Sequence, residues 1–496
     1  SPLTFHYLCY TKIGCGSAKQ MMQASLLVAR LSLSLHAVFE MVFMNAIPLL
    51  PYKQQVVSLL KLGLPIVVGQ LGMIILGLAD TVMIGHHSTE ELAAAAFVNN
   101  VFNLAIIFAT GFSYGLTPLI GMLQGTGNVQ GIGRVFRNAL VAHTAVAVLL
   151  TVIMYVVYCF VDRLGQPVEL LPYIRPYFVL QLISLIFVML FNSFRQFSEG
   201  LTDTRTPMWI LLGGNALNII GNYLLIYGSF GCPEWGLFGA GVSTLVSRVV
   251  MLLVFVGMVW WMPRYRAYRE AMRHSRFNRN DFVQLNALGW PLALQMGMET
   301  AAFSLSAIMV GWLGSVPLAA HQIMISVSTL GFMIYYGMGA ALAVRVSHFM
   351  GQRDFPNLRR AVHAGLGIIL VLAVAASLFF YLARVPIVYS FTEDPAVMAL
   401  VAVLIYSLIV YQFGDALQIT FANALRGTAD VKPMMWIAFV AYFVIALPVG
   451  YLCGFTLDGG VVGVWVAFPA GLFSAGFLFW LRFRYRLRRL MKEGQV

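Results

Sequence analysis

The chain has 496 residues, 60% of them hydrophobic and 10% charged, with a formal net charge of +12. Its apolar runs repeatedly exceed the roughly 20 residues that carry a helix across a bilayer, which excludes a water-soluble enzyme or binding module and implies a polytopic membrane protein. The positive charge lies in the connections between apolar runs, so it implies no nucleic-acid partner.

Taken in chain order, residues 1–45 fit the remainder poorly. The run from Gln20 to Phe43 is broken by Arg30, His36 and Glu40, without a clean pattern of basic start, apolar stretch and small-residue cleavage site. A non-native upstream extension is expected here, with Met41 or Met44 as the natural start; a segment lying on the cytoplasmic membrane surface is the other reading. Polar and Gly/Pro-rich breaks then cut the chain into twelve spans, near 54–83, 92–122, 138–161, 172–194, 207–230, 236–262, 285–312, 317–345, 362–383, 396–424, 433–454 and 460–481. The expected layout is an N-lobe at 46–262, an Arg-rich linker at 263–284, a C-lobe at 285–482 and a basic tail at 483–496.

Lys and Arg crowd onto alternate connections, among them Arg134 and Arg137, Arg195 and Arg205, the six arginines between Arg264 and Arg279, Arg345 to Arg360, and the tail from Arg482. The opposite connections hold only Arg163, Arg175 and Arg384. Short loops rich in Lys and Arg stay cytoplasmic, so both termini and the linker are expected inside the cell. The five cysteines show no ligand or disulfide spacing.

The two halves repeat. Aligning Pro65 with Pro291 places Gly85 on Gly311 without a gap, and GFSYGLTPLIGMLQG (111–125) parallels GMGAALAVRVSHFMG (337–351). Six spans per half give both halves the same starting side, so the repeats are parallel and related by an axis along the membrane normal. The expected fold is all-α, with twelve transmembrane helices in two homologous six-helix lobes around a central cavity. Such a cavity binds cargo, and rocking of the lobes gives alternating access.

Three acids interrupt apolar runs: Asp80, Glu299 and Asp415. An intramembrane carboxylate costs about 2.5–3.5 kcal/mol on insertion scales and marks a pathway, a partner or an ion. Asp80 lies fifteen residues after Pro65 and Glu299 eight after Pro291, so the lobes carry acids at different depths of equivalent helices. Tyr411 and Asp415, and likewise Asn218 and Asn222, are four apart and share a helix face.

The motifs LADTVMIG (78–85), AAHQ (319–322), the Gly/Asp/Pro turns at 200–207 and 427–433, and YQFGDALQ (411–418) resemble the MATE (multidrug and toxic compound extrusion) transporters, nearest to their NorM-like branch. The resemblance covers about residues 52 to 490. It implies export of organic cations and drugs in antiport with Na⁺ or H⁺ by a functional monomer in the bacterial inner membrane. It also implies a C-lobe cation site at Glu299 and Asp415 beside Tyr411, and an N-lobe polar cluster of Asp80, Asn218, Asn222 and Thr244. Some relatives carry an acid where this chain has Asn222. Na⁺ favours oxygen ligands, and a carboxylate out of water also takes up a proton more readily; Na⁺ is the preferred expectation. Beyond the coupling ion and surrounding lipid, no cofactor or partner is implied. The 13% Phe, Tyr and Trp and 25 Met residues supply adaptable apolar surface for small lipophilic or cationic drugs.

Other roles stay open. Asp80 could serve a helix–helix hydrogen bond to Asn218 or Thr244. Gln322 could line the cavity or bond another helix. Arg248, one turn past Thr244, could pair with Asp80 or snorkel to water. His86 and His87 are expected in a solvated outer loop. A lipid-linked oligosaccharide flippase of the same superfamily is the alternative function, although its pyrophosphate cargo calls for more cationic residues. The Gly414–Asp415 pair is a faint match to an intramembrane aspartyl protease, and no phosphate loop supports an ATP-driven pump.

Overall fold

The computed structural model describes residues 50–493, so the expectations for residues 1–45 fall outside it. Among the described residues, twelve helices are long and apolar enough to cross a membrane. In the N-lobe these are α1 (Tyr52–His87), α2 (Thr89–Gly125), α3 (Val129–Cys159), α4 (Val168–Gly200), α5 (Arg205–Ile226) and α6 (Gly236–Trp261). The C-lobe holds α7 (Arg279–Gly311), α8 (Ser315–Gln352), α9 (Phe355–Leu382), α10 (Pro395–Gly427), α11 (Lys432–Thr456) and α12 (Gly460–Glu493). In hydrocarbon every backbone N–H and C=O must be paired within its own segment, which a continuous helix achieves.

Several helices start on polar residues in the connections, which cap them. Asn128 accepts from the Gly131 amide at 2.8 Å, Asn278 from those of Asn280 and Asp281 at 2.9 and 3.3 Å, and Asp394 from that of Ala396 at 2.8 Å. The linker contains a short helix, Arg266–His274. Just before it, Tyr265 donates to Asp203 Oδ2 at 2.6 Å, tying linker to lobe; burial, with the Asp203 carboxylate, pushes this phenol up to about 12. The repeat is visible in detail: Thr202 and Ala429 both adopt left-handed φ, 66° and 57°, immediately before Asp203 and Asp430.

Hydrogen bonds and an ion pair join the lobes on the Arg-rich side. Arg134 pairs with Asp281 at 2.7 Å, Arg345 donates to Gln55 at 3.1 Å, and the Tyr336 and Tyr114 hydroxyls are hydrogen-bonded. Arg426 stacks over the Tyr114 ring at 4.5 Å. Small residues let the backbones meet here: a Cβ on Gly115 would lie 2.9 Å from the Gly289 nitrogen, and one on Gly351 2.0 Å from the Met122 carbonyl oxygen. The lobes are therefore held together at their Arg-rich ends.

Candidate ion and substrate sites

In the C-lobe, α10 carries Tyr411, Asp415 and Gln418 along one face, at i, i+4 and i+7. Asp415 is 1% exposed, and neither carboxylate oxygen has a hydrogen-bond partner. Glu299 on α7 is only partly buried, and Gln418 Nε2 donates to both of its oxygens at 3.3 Å. The two acids act on each other and on three surrounding phenols, Tyr335, Tyr411 and Tyr442. The Tyr335 hydroxyl and both amide atoms of the fully buried Gln412 are also unpaired, while the Tyr442 hydroxyl is turned toward the Glu299 carboxylate. Gly331 leaves room for this group, since a Cβ there would lie 2.7 Å from Gln412 Oε1.

Local backbone chemistry helps to place Tyr442. It sits in a π-helical stretch of α11, Val440–Ala446. Pro448 follows it; proline removes a helical hydrogen bond and crowds the carbonyl four residues back, and such wide turns are frequent at functional sites. On α7, Glu299 stands two residues past Gly297, where a Cβ would meet the Phe108 ring at 2.6 Å. Glu299 thus lies at the edge of the segment where the lobes touch.

In the N-lobe, Asn222 Nδ2 donates to Asp80 Oδ1 at 2.6 Å. The orientation of Asn218 follows from its neighbours: its nitrogen faces Asp80 Oδ1 at 2.9 Å, and its oxygen accepts from the Thr244 amide and hydroxyl at 3.2 and 3.1 Å. Asp80, Asn218, Asn222 and Thr244 therefore form one network, with the acid held by neutral amide donors.

Two expectations change, for Arg248 and for His86 and His87, and one of the two readings of Gln322 falls away. Arg248 neither pairs with Asp80 nor reaches for the membrane surface; it donates to Gln181 and Ser184 on α4, because those polar groups lie across the helix interface from it. Gln322 is exposed, with no interhelical bond among the described residues. The buried member of AAHQ is its neighbour His321, 1% exposed and packed on Trp465 and Phe468, one residue being about 100° round the helix. His86 and His87 end α1 rather than sitting in a loop, and His87 bridges Glu91 at 2.8 Å and Glu234 at 3.1 Å. Tyr411 and Asp415 share a face without a hydrogen bond between them.

The motifs had not singled out Tyr335, Tyr442, Gln412 or Gln418. The two glutamines lie inside YQFGDALQ, so the motif held a signal for them; the tyrosines come from other helices and become neighbours only on packing.

A membrane protein of twelve spans, folded as two repeats with intramembrane acids in each lobe, has the architecture of a secondary transporter. The MatE family model matches residues 65–224 and 291–452, one match per lobe, and the chain belongs to that family of MATE transporters. The two matches begin at Pro65 and Pro291, the residues aligned by the internal repeat. This membership defines a transporter rather than an enzyme and favours MATE transport over the flippase alternative.

Solved structures share the fold. The eukaryotic MATE transporter AtDTX14 is 16% identical, with a TM-score of 0.78 over 89% of this chain and 99% of that one. A structure described as the outward-facing conformation of a multidrug resistance MATE family transporter is 20% identical, with a TM-score of 0.80 over 89% and 97%. A MOP superfamily transporter from Pyrococcus furiosus, described as having a binding pocket of reverse polarity that suggests a different function, gives 20% and 0.80 over the same shares.

Proposed function

We propose that this MATE transporter is a NorM-like antiporter that exports lipophilic or cationic drugs in exchange for Na⁺, with H⁺ as the alternative coupling ion. It works as a monomer in a bacterial inner membrane with both termini cytoplasmic, so the lobes are held together on the cytoplasmic side. Asp415 carries the reading: its two carboxylate oxygens have no protein donor at 1% exposure, and a buried uncompensated charge costs several kcal/mol. Around it stand carboxylate, phenol and amide oxygens, a donor set suited to a hard cation such as Na⁺.

Coupling follows from differential affinity, because a ligand equally tight in both conformations shifts nothing. Cation entry at Glu299 and Asp415 cancels the negative charge that also attracts a cationic drug. Since Glu299 borders the region of lobe contact, that neutralisation acts where the cleft begins to close. The aromatic and methionine-rich interior accommodates drugs of varied shape. The test is ethidium efflux from proteoliposomes under an imposed Na⁺ gradient and then a proton gradient. Acceleration by one gradient is expected; indifference to both would sink the antiport reading.

A further inference from the structure

The Arg-rich linker carries charge in an arrangement that membrane topology does not require. Keeping a loop on the basic side of a membrane depends on how many Lys and Arg it holds, not on where each one points. In the linker helix Arg266–His274, the Arg273 guanidinium lies 4.5 Å and that of Arg269 5.9 Å from the centre of one ring, Trp260 in the last turn of α6. Like charges one turn apart repel, yet both are gathered over this indole.

Neither arginine is neutralised. Among the described residues, no carboxylate oxygen lies within 4.0 Å of Arg269 or Arg273, and neither donates a hydrogen bond to protein. The one acid on this helix, Glu270, is engaged by Arg266 at 2.9 Å. Arg269 Nε is out of solvent and unpaired. The helix itself is firmly seated: a Cβ on Gly133 of α3 would lie 2.5 Å from the Met272 nitrogen, and Tyr268 donates to Gln124 Oε1 at 3.0 Å.

Trp261 follows Trp260 and is exposed, its ring folded back along α6 so that a Cβ on Gly257 would meet it at 2.6 Å. Tryptophans at the end of a span mark the headgroup level of the bilayer. Two arginines without an acid at that level offer planar N–H forks, which suit the oxygens of a phosphodiester.

We propose that Arg269 and Arg273 form a headgroup seat for an anionic phospholipid of the leaflet on the Arg-rich side, with the phosphate between the two guanidinium groups and the acyl chains along Trp261.

The test is native mass spectrometry of the full chain in detergent, titrated with phosphatidylglycerol and, separately, with phosphatidylcholine. The unsubstituted protein is expected to bind phosphatidylglycerol more tightly; equal binding of the two lipids overturns the proposal. Arg273→Gln should weaken phosphatidylglycerol binding about tenfold, the scale of one charge-assisted hydrogen bond. Arg266→Gln removes the same charge from the same helix and should cost less than about twofold, as a screened charge outside the seat. Equal losses in the two variants would mean attraction to the linker's overall charge, and no loss in Arg273→Gln would place the lipid elsewhere; either result overturns the seat. Should Arg273→Gln fail to fold, Arg269→Gln is read against Arg266→Gln in the same way. Inorganic phosphate at the lipid's concentration should leave the complex intact, and displacement by it would make this a free-anion site instead.

Discussion

Asp80 in the N-lobe accepts hydrogen bonds from two asparagines and has Arg248 in its field, while Asp415 in the C-lobe accepts none and has a second acid for a neighbour. The helices that carry these acids belong to matching lobes, so fold alone does not set the difference; the side chains around each acid do. A carboxylate supplied with amide donors keeps its charge without a bound cation. One stripped of donors and placed beside another acid needs a cation or a proton. On the proposed antiport function, the repeat serves two tasks, an ion task in the C-lobe and a polar, charge-balanced one in the N-lobe.

The largest way to break this comparison is Asp415→Asn. Losing roughly 3 kcal/mol of ion binding, at 1.4 kcal/mol per tenfold, should cut gradient-driven efflux by about a hundredfold. Thermal stability in Na⁺-free buffer should not fall, because a buried charge without donors has been replaced by a neutral amide; a large drop in melting temperature would mean that Asp415 is held by structure instead. Glu299→Gln should cost somewhat less, about tenfold or more in coupled efflux, since Glu299 is partly exposed and still has Gln418 beside it. Normal coupling in that variant would move the cation site elsewhere.

Gly351→Val tests the cleft rather than the acids. With a Cβ predicted only 2.0 Å from the Met122 carbonyl oxygen, the Arg-rich face has to part. Spin-label distances across that face should lengthen in most molecules, and unchanged distances would contradict an arrangement in which the lobes meet on the Arg-rich face. For Asp80→Asn, ethidium efflux should keep its gradient dependence and lose no more than about threefold in rate, under 1 kcal/mol. Arg134→Ala should matter least: Arg134 itself is half exposed above the buried Asp281, and ion pairs open to solvent contribute about 1 kcal/mol or less, read as a small shift in melting temperature.

Apolar length and the placement of arginines made the twelve spans legible, and the ungapped match of Pro65 to Pro291 revealed the repeat. Helix ends were less legible, because caps such as Asn128 and Asp394 lie in polar connections that read as breaks. Within one helix, spacing located Tyr411, Asp415, Asn218 and Asn222 on shared faces. It did not say which face of AAHQ turns inward, and His321 rather than Gln322 does. Partners from different helices, such as Tyr335 and Tyr442 around the acids or Gln181 and Ser184 around Arg248, depend on packing that a linear pattern does not encode.

The most direct measurement is ethidium efflux by Asp415→Asn and Asp80→Asn proteins side by side in proteoliposomes, under Na⁺ and proton gradients. The account predicts that Asp415→Asn loses the response to the gradient that drives the unsubstituted protein while Asp80→Asn keeps it. A gradient response retained by Asp415→Asn and lost by Asp80→Asn would place the coupling ion in the other lobe.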